Sequence, residues 1–164
     1  MKRGQLKISF GMIFSIILII IFVSFAFYAI KLFLDTSDDM KVGKFFDDIQ
    51  KDVDKAWRSH ESSQEESYAL PPKIELVCFA DFDSNSKGAD KSKLDKLEKA
   101  FWGSENLIFY PVGSGDGLDS KNVLHIDLEQ TTQTSNPLCL QNVDGKVKMT
   151  IKKDFGEKLV TITD

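Results

Sequence analysis

This chain of 164 residues is poor in the residues from which enzymes and metal sites are built. It has two cysteines, Cys78 and Cys139, and two histidines, His60 and His125. A zinc site takes about four ligands, which two cysteines alone do not supply, and although Ser, His and Asp are all present, nothing in the sequence orders them into a triad. No Asn-x-Ser/Thr acceptor occurs, no internal repeat is evident, and only one long apolar run is present. Basic residues are also unevenly placed. Residues 1–34 hold Lys2, Arg3, Lys7 and Lys31 and no acid, which leaves 17 of the 21 basic residues to face all 25 acids, a formal charge of −8 over the rest. A broadly acidic body excludes nucleic acid, or a sheet of anionic headgroups, as the partner of a wide basic face.

The apolar run does most to class the protein. From Ile8 to Ile30 there are 23 residues without a charge. At about 1.5 Å per residue, a helix of that length covers the roughly 30 Å hydrocarbon core of a bilayer. A cleaved secretion signal has an apolar stretch of only about 7–15 residues before a small-x-small site, and Phe27 to Leu34 offers no such site. A buried helix of a soluble protein is disfavoured, because nothing else in the chain is apolar enough to surround a segment that is hydrophobic on every face. Three of the four basic residues precede the run, so the positive-inside bias places the amino terminus in the cytoplasm and the body outside. Tyr28 sits near the outer end, at headgroup height. The bilayer is thus the first expected partner.

The organisation expected is a basic leader over 1–7, a transmembrane helix over 8–34, an amphipathic stalk helix over 35–60, a linker over 61–72 and an extracytoplasmic α+β domain over 73–164. Asp35 to Asp39 offers cap residues for the stalk. Within it Val42, Phe45, Phe46, Ile49, Val53, Ala56 and Trp57 recur at three- and four-residue steps, with Lys44, Asp47, Asp48, Lys51, Asp52, Asp54 and Lys55 on the other face. Lipid-surface helices favour Lys and Arg on the polar face, and this one is rich in Asp. The stripe of Phe45, Phe46, Ile49, Val53 and Trp57 is therefore expected to pack on the domain that follows. The polar run 58–67 and Leu70-Pro71-Pro72 end the helical period.

Six short segments, 73–82, 106–112, 122–129, 137–143, 146–153 and 158–163, are β-branched or aromatic and bounded by turn residues, which predicts strands of a mainly antiparallel sheet. Asp144-Gly145 predicts a two-residue hairpin turn, where both positions need positive φ. Residues 90–102 place Leu94, Leu97 and Phe101, with Trp102 beside them, on one side of a short helix that can cover the sheet. Cys78 and Cys139 fall in two of the strands. In an oxidising compartment they are expected to form a disulfide, two buried thiols being the alternative.

Two acidic patterns invite sharper readings. Asp81, Asp83 and Asn85 alternate as at the start of a calcium loop, but Ser86 stands where glycine is wanted and Ser92 where a bidentate Glu is wanted. A polar turn is the expected reading, with calcium the lesser one. Asp81-Phe82-Asp83 is similar to the first motif of haloacid-dehalogenase-type phosphatases, and Gly115 to Asp119 to a later acidic motif of that family. The two lie about thirty residues apart, too close for the alternating strands and helices of that fold. Gly113 to Gly117 is expected to be a flexible loop, since the Lys-Ser/Thr of a phosphate-binding loop is missing. No nucleophile, base and orienting group can be named together, so no enzyme and no cofactor is expected.

The whole layout, with Lys2-Arg3-Gly4-Gln5, a long apolar helix running into an amphipathic one, and a small sheet domain with a cysteine pair, resembles type IV pilins and pilin-like proteins of the archaeal kind. That resemblance implies cleavage between Gly4 and Gln5 on the cytoplasmic side and retention of the apolar helix in the mature subunit. It also implies packing with other copies in a filament through Phe10, Gly11, Phe14, Ile17, Ile21 and Phe25. The competing reading is a plain single-span anchor carrying a domain that binds a protein or surface component. For an anchor the same side chains face lipid tails. The small residues Gly11, Ser15, Ser24, Ala26 and Ala29 form no Gly-xxx-Gly pair.

Overall fold

The computed structural model describes residues 10–101 and 104–164. The expected leader positions Gly4 and Gln5, and Trp102, lie outside the described residues. The chain divides into two compact units, Met1–Ser37 and Asp38–Asp164. In the first unit, the described residues from Phe10 belong to helix α1 (Phe10–Arg58), which runs on into the second unit without a break at Asp35 to Asp39. Those residues form helical turns rather than a new cap. The structure has the expected α+β class.

In the second unit, α1 is followed by β1 (Ser62–Ala69), β2 (Leu76–Phe79), α2 (Lys91–Ala100), β3 (Leu107–Tyr110), β4 (Ser120–Lys121), α3 (Leu128–Thr131), β5 (Leu138–Val143), β6 (Lys146–Lys153) and β7 (Thr161–Thr163). The strands form one antiparallel sheet in the order β1-β6-β5-β2-β3-β4, with β7 also paired to β6. β1 occupies one edge of β6 along its whole length, Ser62 opposite Lys153 through Ala69 opposite Lys146. The other edge is shared. β5 pairs only through Asn142 and Val143, next to the hairpin, and β7 takes the far end at Thr150 to Lys152. At the hairpin Asp144 has φ 52° and Gly145 φ 75°, the two positive values that a primed two-residue turn requires.

Each strand's sequence follows from what covers it. β2 and β3 read as continuous apolar runs, LVCF and LIFY, because both faces are covered. On one face Val77, Phe79, Leu107 and Phe109 join Val42, Phe45, Phe46, Ile49, Val53 and Ala56 of α1 in the main core. On the other, Cys78, Ala80 and Ile108 meet Leu94 and Leu97 of α2. β6 alternates, with Val147, Met149 and Ile151 in the main core and Lys148 and Thr150 between them on the outer, less covered face. Four aromatic rings lock α1 to the sheet. Phe46 stacks on Phe109 with centroids 5.0 Å apart, Phe45 lies 5.6 Å from the same ring, and Tyr68 meets Phe45 edge-on at 5.4 Å.

Two expectations are corrected. The linker over 61–72 is instead mostly strand β1, an edge strand whose inner face needs to bury only Tyr68, so its sequence SSQEESYA carries little apolar signal. The strand over 122–129 does not form. His125 has φ 67°, which no extended strand tolerates, and Asp127 starts the short α3 by accepting the Gln130 N–H at 2.9 Å. The segment is fastened by side chains instead. Asn106 exchanges two hydrogen bonds of 2.8 Å with the backbone of Val123, and Gln50 of α1 accepts the Leu124 N–H at 2.9 Å.

Phe109 is fully buried, so Phe109→Ala should lower unfolding stability by about 3–5 kcal/mol in denaturant titrations. Phe155, 80% exposed, should change it by no more than about 0.5 kcal/mol when replaced by Ala.

Candidate membrane anchor

Phe10 to Leu34 holds one charge, Lys31, and every residue in it is exposed. Its best 18-residue window has a mean hydropathy of 2.9 and is 0% buried, which makes α1 long and apolar enough to cross a membrane. Three hydroxyls in and just beyond this stretch turn inward on their own helix. Ser15 donates to the Gly11 carbonyl at 2.9 Å, Ser24 to Ile20 at 2.7 Å and Thr36 to Leu32 at 2.9 Å. Such back-bonding hides the polar atoms that would otherwise be costly in hydrocarbon. It also leaves contacts by shape and dispersion as the main means by which another helix could be held.

From Val42 onward the same helix changes character. Of the five residues expected to pack on the following domain, Phe45, Phe46, Ile49 and Val53 are buried. Trp57 is 37% exposed and stacks face to face on the His125 ring, 3.8 Å between centroids and 6° between planes. His125 Nδ1 lies 3.0 Å from Asp54 Oδ1, and because a carboxylate only accepts, that ring nitrogen carries the proton and donates. Gln50 Nε2 donates to the same oxygen at 2.8 Å. Partial burial raises the Asp54 carboxyl, but the hydrogen bonds from His125 and Gln50 and the nearby charges of His125 and Arg58 outweigh it and hold Asp54 below its ordinary value. Tyr68 donates to Asp52 at 2.8 Å, and burial together with that carboxylate pushes the phenol far up. At the end of α1, Lys153 donates to the Trp57 and Ser59 carbonyls. These groups clasp helix to sheet. No hydroxyl or thiol nucleophile is placed against His125 by the bonds of this cluster.

Cys78 and Cys139 face each other across β2 and β5 and are joined as a disulfide, Cα atoms 4.0 Å apart. The bond holds β5 to β2 beside the point where β5 parts from β6. Asp81, Asp83 and Asn85 lie in the turn after β2. The Asp81 carboxylate accepts the Asp83 N–H at 3.0 Å and the Ser84 hydroxyl at 2.7 Å. The carbonyls of Asp81, Ser84 and Asn85 all accept from Nδ2 of the buried Asn136, at 2.8, 3.2 and 3.3 Å. The Asp81 bonds make a local polar turn of the expected kind, and the Asn136 amide adds a fastening from outside the loop. Among the described residues no group of three or more His, Cys, Asp or Glu side chains is arranged to hold a metal ion.

Gly113 to Gly117, expected to be flexible, belongs to a braced loop. Asp119 accepts the Gly115 N–H at 2.8 Å and the Gly117 N–H at 3.4 Å, and Leu118 N–H returns to the Gly115 carbonyl at 3.0 Å. A Cβ on Gly115 would lie 2.5 Å from the Leu118 carbonyl oxygen, so the turn closes only on glycine. Lys73 is paired with Asp116. That bond chiefly raises its ammonium, burial lowers it, and the charges of Asp116, Asp38 and Asp39 raise it further. No local signal hints at these partnerships, because Asn136 acts 51–55 residues away and Lys73 reaches 43.

No family model, curated protein or solved structure matches the chain.

Denatured but unreduced protein should show no alkylation at Cys78 or Cys139, and reduction should lower stability by about 4 kcal/mol for a loop of 61 residues, read from urea midpoints. Asp54 is more acidic folded than unfolded, so its contribution is complete above the unfolded value of about 4 and is lost as pH falls below it. Asp54→Asn should therefore remove part of the acid-side slope of stability below about pH 4, measured by urea titration at each pH.

Proposed function

We propose that this chain is a single-pass membrane-anchored surface protein. Its amino terminus is cytoplasmic, and the domain from Asp38 onward is extracytoplasmic with a structural or adhesive, non-catalytic role. The observation that carries this reading is the contrast within α1: apolar and exposed on all sides from Phe10 to Leu34, then buried along one stripe from Val42 to Ala56. A helix uniformly apolar around its axis is stable where the surrounding medium is hydrocarbon. The charge asymmetry supports the orientation, and the disulfide fits an oxidising exterior. The stacking of Trp57 on His125 and the bonds of His125 and Gln50 to Asp54 tie α1 to the segment before α3, which supports a structural part for that cluster.

A second reading rests on Lys2-Arg3-Gly4-Gln5. If that head is a processing signal, the mature chain is a pilin-like subunit, and the exposed stripe of Phe10, Phe14, Ile17, Ile21 and Phe25 packs against other copies. With no Gly-xxx-Gly pair, and with Ser15 and Ser24 turned back on their own helix, such packing would rely on side-chain shape.

Intact-mass and amino-terminal analysis of protein from its native membrane separates the two. A chain beginning at Gln5 is expected for the pilin-like subunit, and a chain keeping Lys2-Arg3-Gly4 for the plain anchor. Resistance to alkaline carbonate extraction is expected for both, and release into the soluble fraction would remove both.

A further inference from the structure

The loop from Pro111 to Asp119 is built in an unusual way for a surface connection. It is braced by Asp119, yet it presents apolar side chains to solvent, Val112 and Leu118, each 44% exposed. Added Cβ atoms on Gly113 and Gly117 would meet nothing within 4 Å, so those parts of the loop stand clear of the domain. Its carboxylates are engaged, Asp116 with Lys73 and Asp119 with the loop's own amides, and offer little unpaired negative charge outward. Beside Val112, an apolar hollow of about 360 Å³ lined by Tyr110, Pro111 and Ala100 carries Lys96 and Lys99 at its rim.

The position of the loop within its unit gives these features a common purpose. Asn106, just before β3, is bonded to Val123, whose neighbour Leu124 is held by Gln50, whereas Phe109 near the end of β3 lies against Phe45 and Phe46. β3 therefore runs toward the first turns of α1 in this unit, and the loop leaves it at the Asp38 end. Only four residues of chain lead from Leu34, the last of the apolar run, to Asp38, about 14 Å even at full extension. Met40, at the same end of the unit, is 63% exposed. Apolar side chains with lysines alongside suit the boundary between acyl chains and phosphates, where the former bury and the latter donate to phosphate oxygens.

We propose that the Pro111–Asp119 loop is a membrane-contact element, with Val112 and Leu118 entering the lipid headgroup layer and Lys96 and Lys99 donating to lipid phosphates. This inference rests on the anchor reading above. It assigns the loop a partner, the bilayer surface, that the apolar helix alone does not specify.

The test uses the full chain in phosphatidylcholine vesicles containing a lipid with a nitroxide on its headgroup. Leu118→Cys and Val112→Cys are each labelled with a small environment-sensitive fluorophore. Cys78 and Cys139 are consumed in the disulfide, so the introduced thiol is the sole target. Phe155→Cys, in the loop between β6 and β7 beside Trp57, serves as the comparison site. Quenching at positions 118 and 112 at least twofold greater than at 155, in protein that floats with the vesicles, is the expected result. Equal quenching at all three positions in floating protein overturns the inference and leaves the anchor reading intact. Protein that does not float removes the anchor reading and this inference with it. Melting curves matching the parent chain show that each variant is folded, and the two loop positions serve as independent reporters.

Discussion

The seating of α1 against the inner face of the sheet is the contact on which the second unit depends. Phe45, Phe46, Ile49 and Val53 are not decoration on a stalk, since they form one wall of the only large core among the described residues. A sheet of this size with one face bare could not bury enough apolar area to offset the entropy of ordering its strands. The aromatic contacts of Phe45 and Phe46 with Phe109 set the position of the helix, and the clasp of Gln50, Asp54 and Trp57 around Leu124 and His125 fixes its far turns. One helix therefore answers to two environments, apolar on all sides in its first half and one-sided in its second.

Polar side chains complete what the ladders leave open. Asn106 stands in for a strand partner of Val123, Asn136 gathers three carbonyls of the turn after β2, and Asn142 donates to the Pro71 and Ile74 carbonyls at 3.0 and 2.7 Å. Buried backbone groups that miss a ladder must find another partner, and a side-chain amide supplies donor and acceptor together. Irregular segments beside the sheet can in this way be as firmly held as strands.

How much of this was legible in the sequence varied with how local the cause was. The β6 strand matches the segment 146–153 to the residue, because alternation and the Asp144-Gly145 turn are both local signals. The helix stripe from Val42 to Ala56 was legible for the same reason, and α2 came within a residue or two of its expected bounds. β1 was missed because its cause is the partner strand β6, which lies some eighty residues on and supplies the apolar face that β1 lacks. The segment 122–129 misled because Val123 and Ile126 are buried as strand residues would be, while His125 turns the backbone left-handed between them. The cysteine pair was expected, but its register, opposite one another on β2 and β5, is a property of the sheet. The asparagine fasteners left no trace, since nothing local distinguishes an amide that bonds a distant carbonyl from one in water.

The shared edge of β6 bears on the order in which the protein can be made. α1 is synthesised first, yet the strands that shelter its apolar stripe arrive last, β6 and β7 among them. During synthesis Phe45, Ile49 and Val53 must therefore wait through about a hundred residues of chain before Met149, Ile151 and Ile162 close over them. Contacts of such sequence separation close slowly, and exposed apolar stripes invite wrong partners meanwhile. A helix already held by its first half would keep that stripe from wandering, so tethering would act as a folding aid as well as an address.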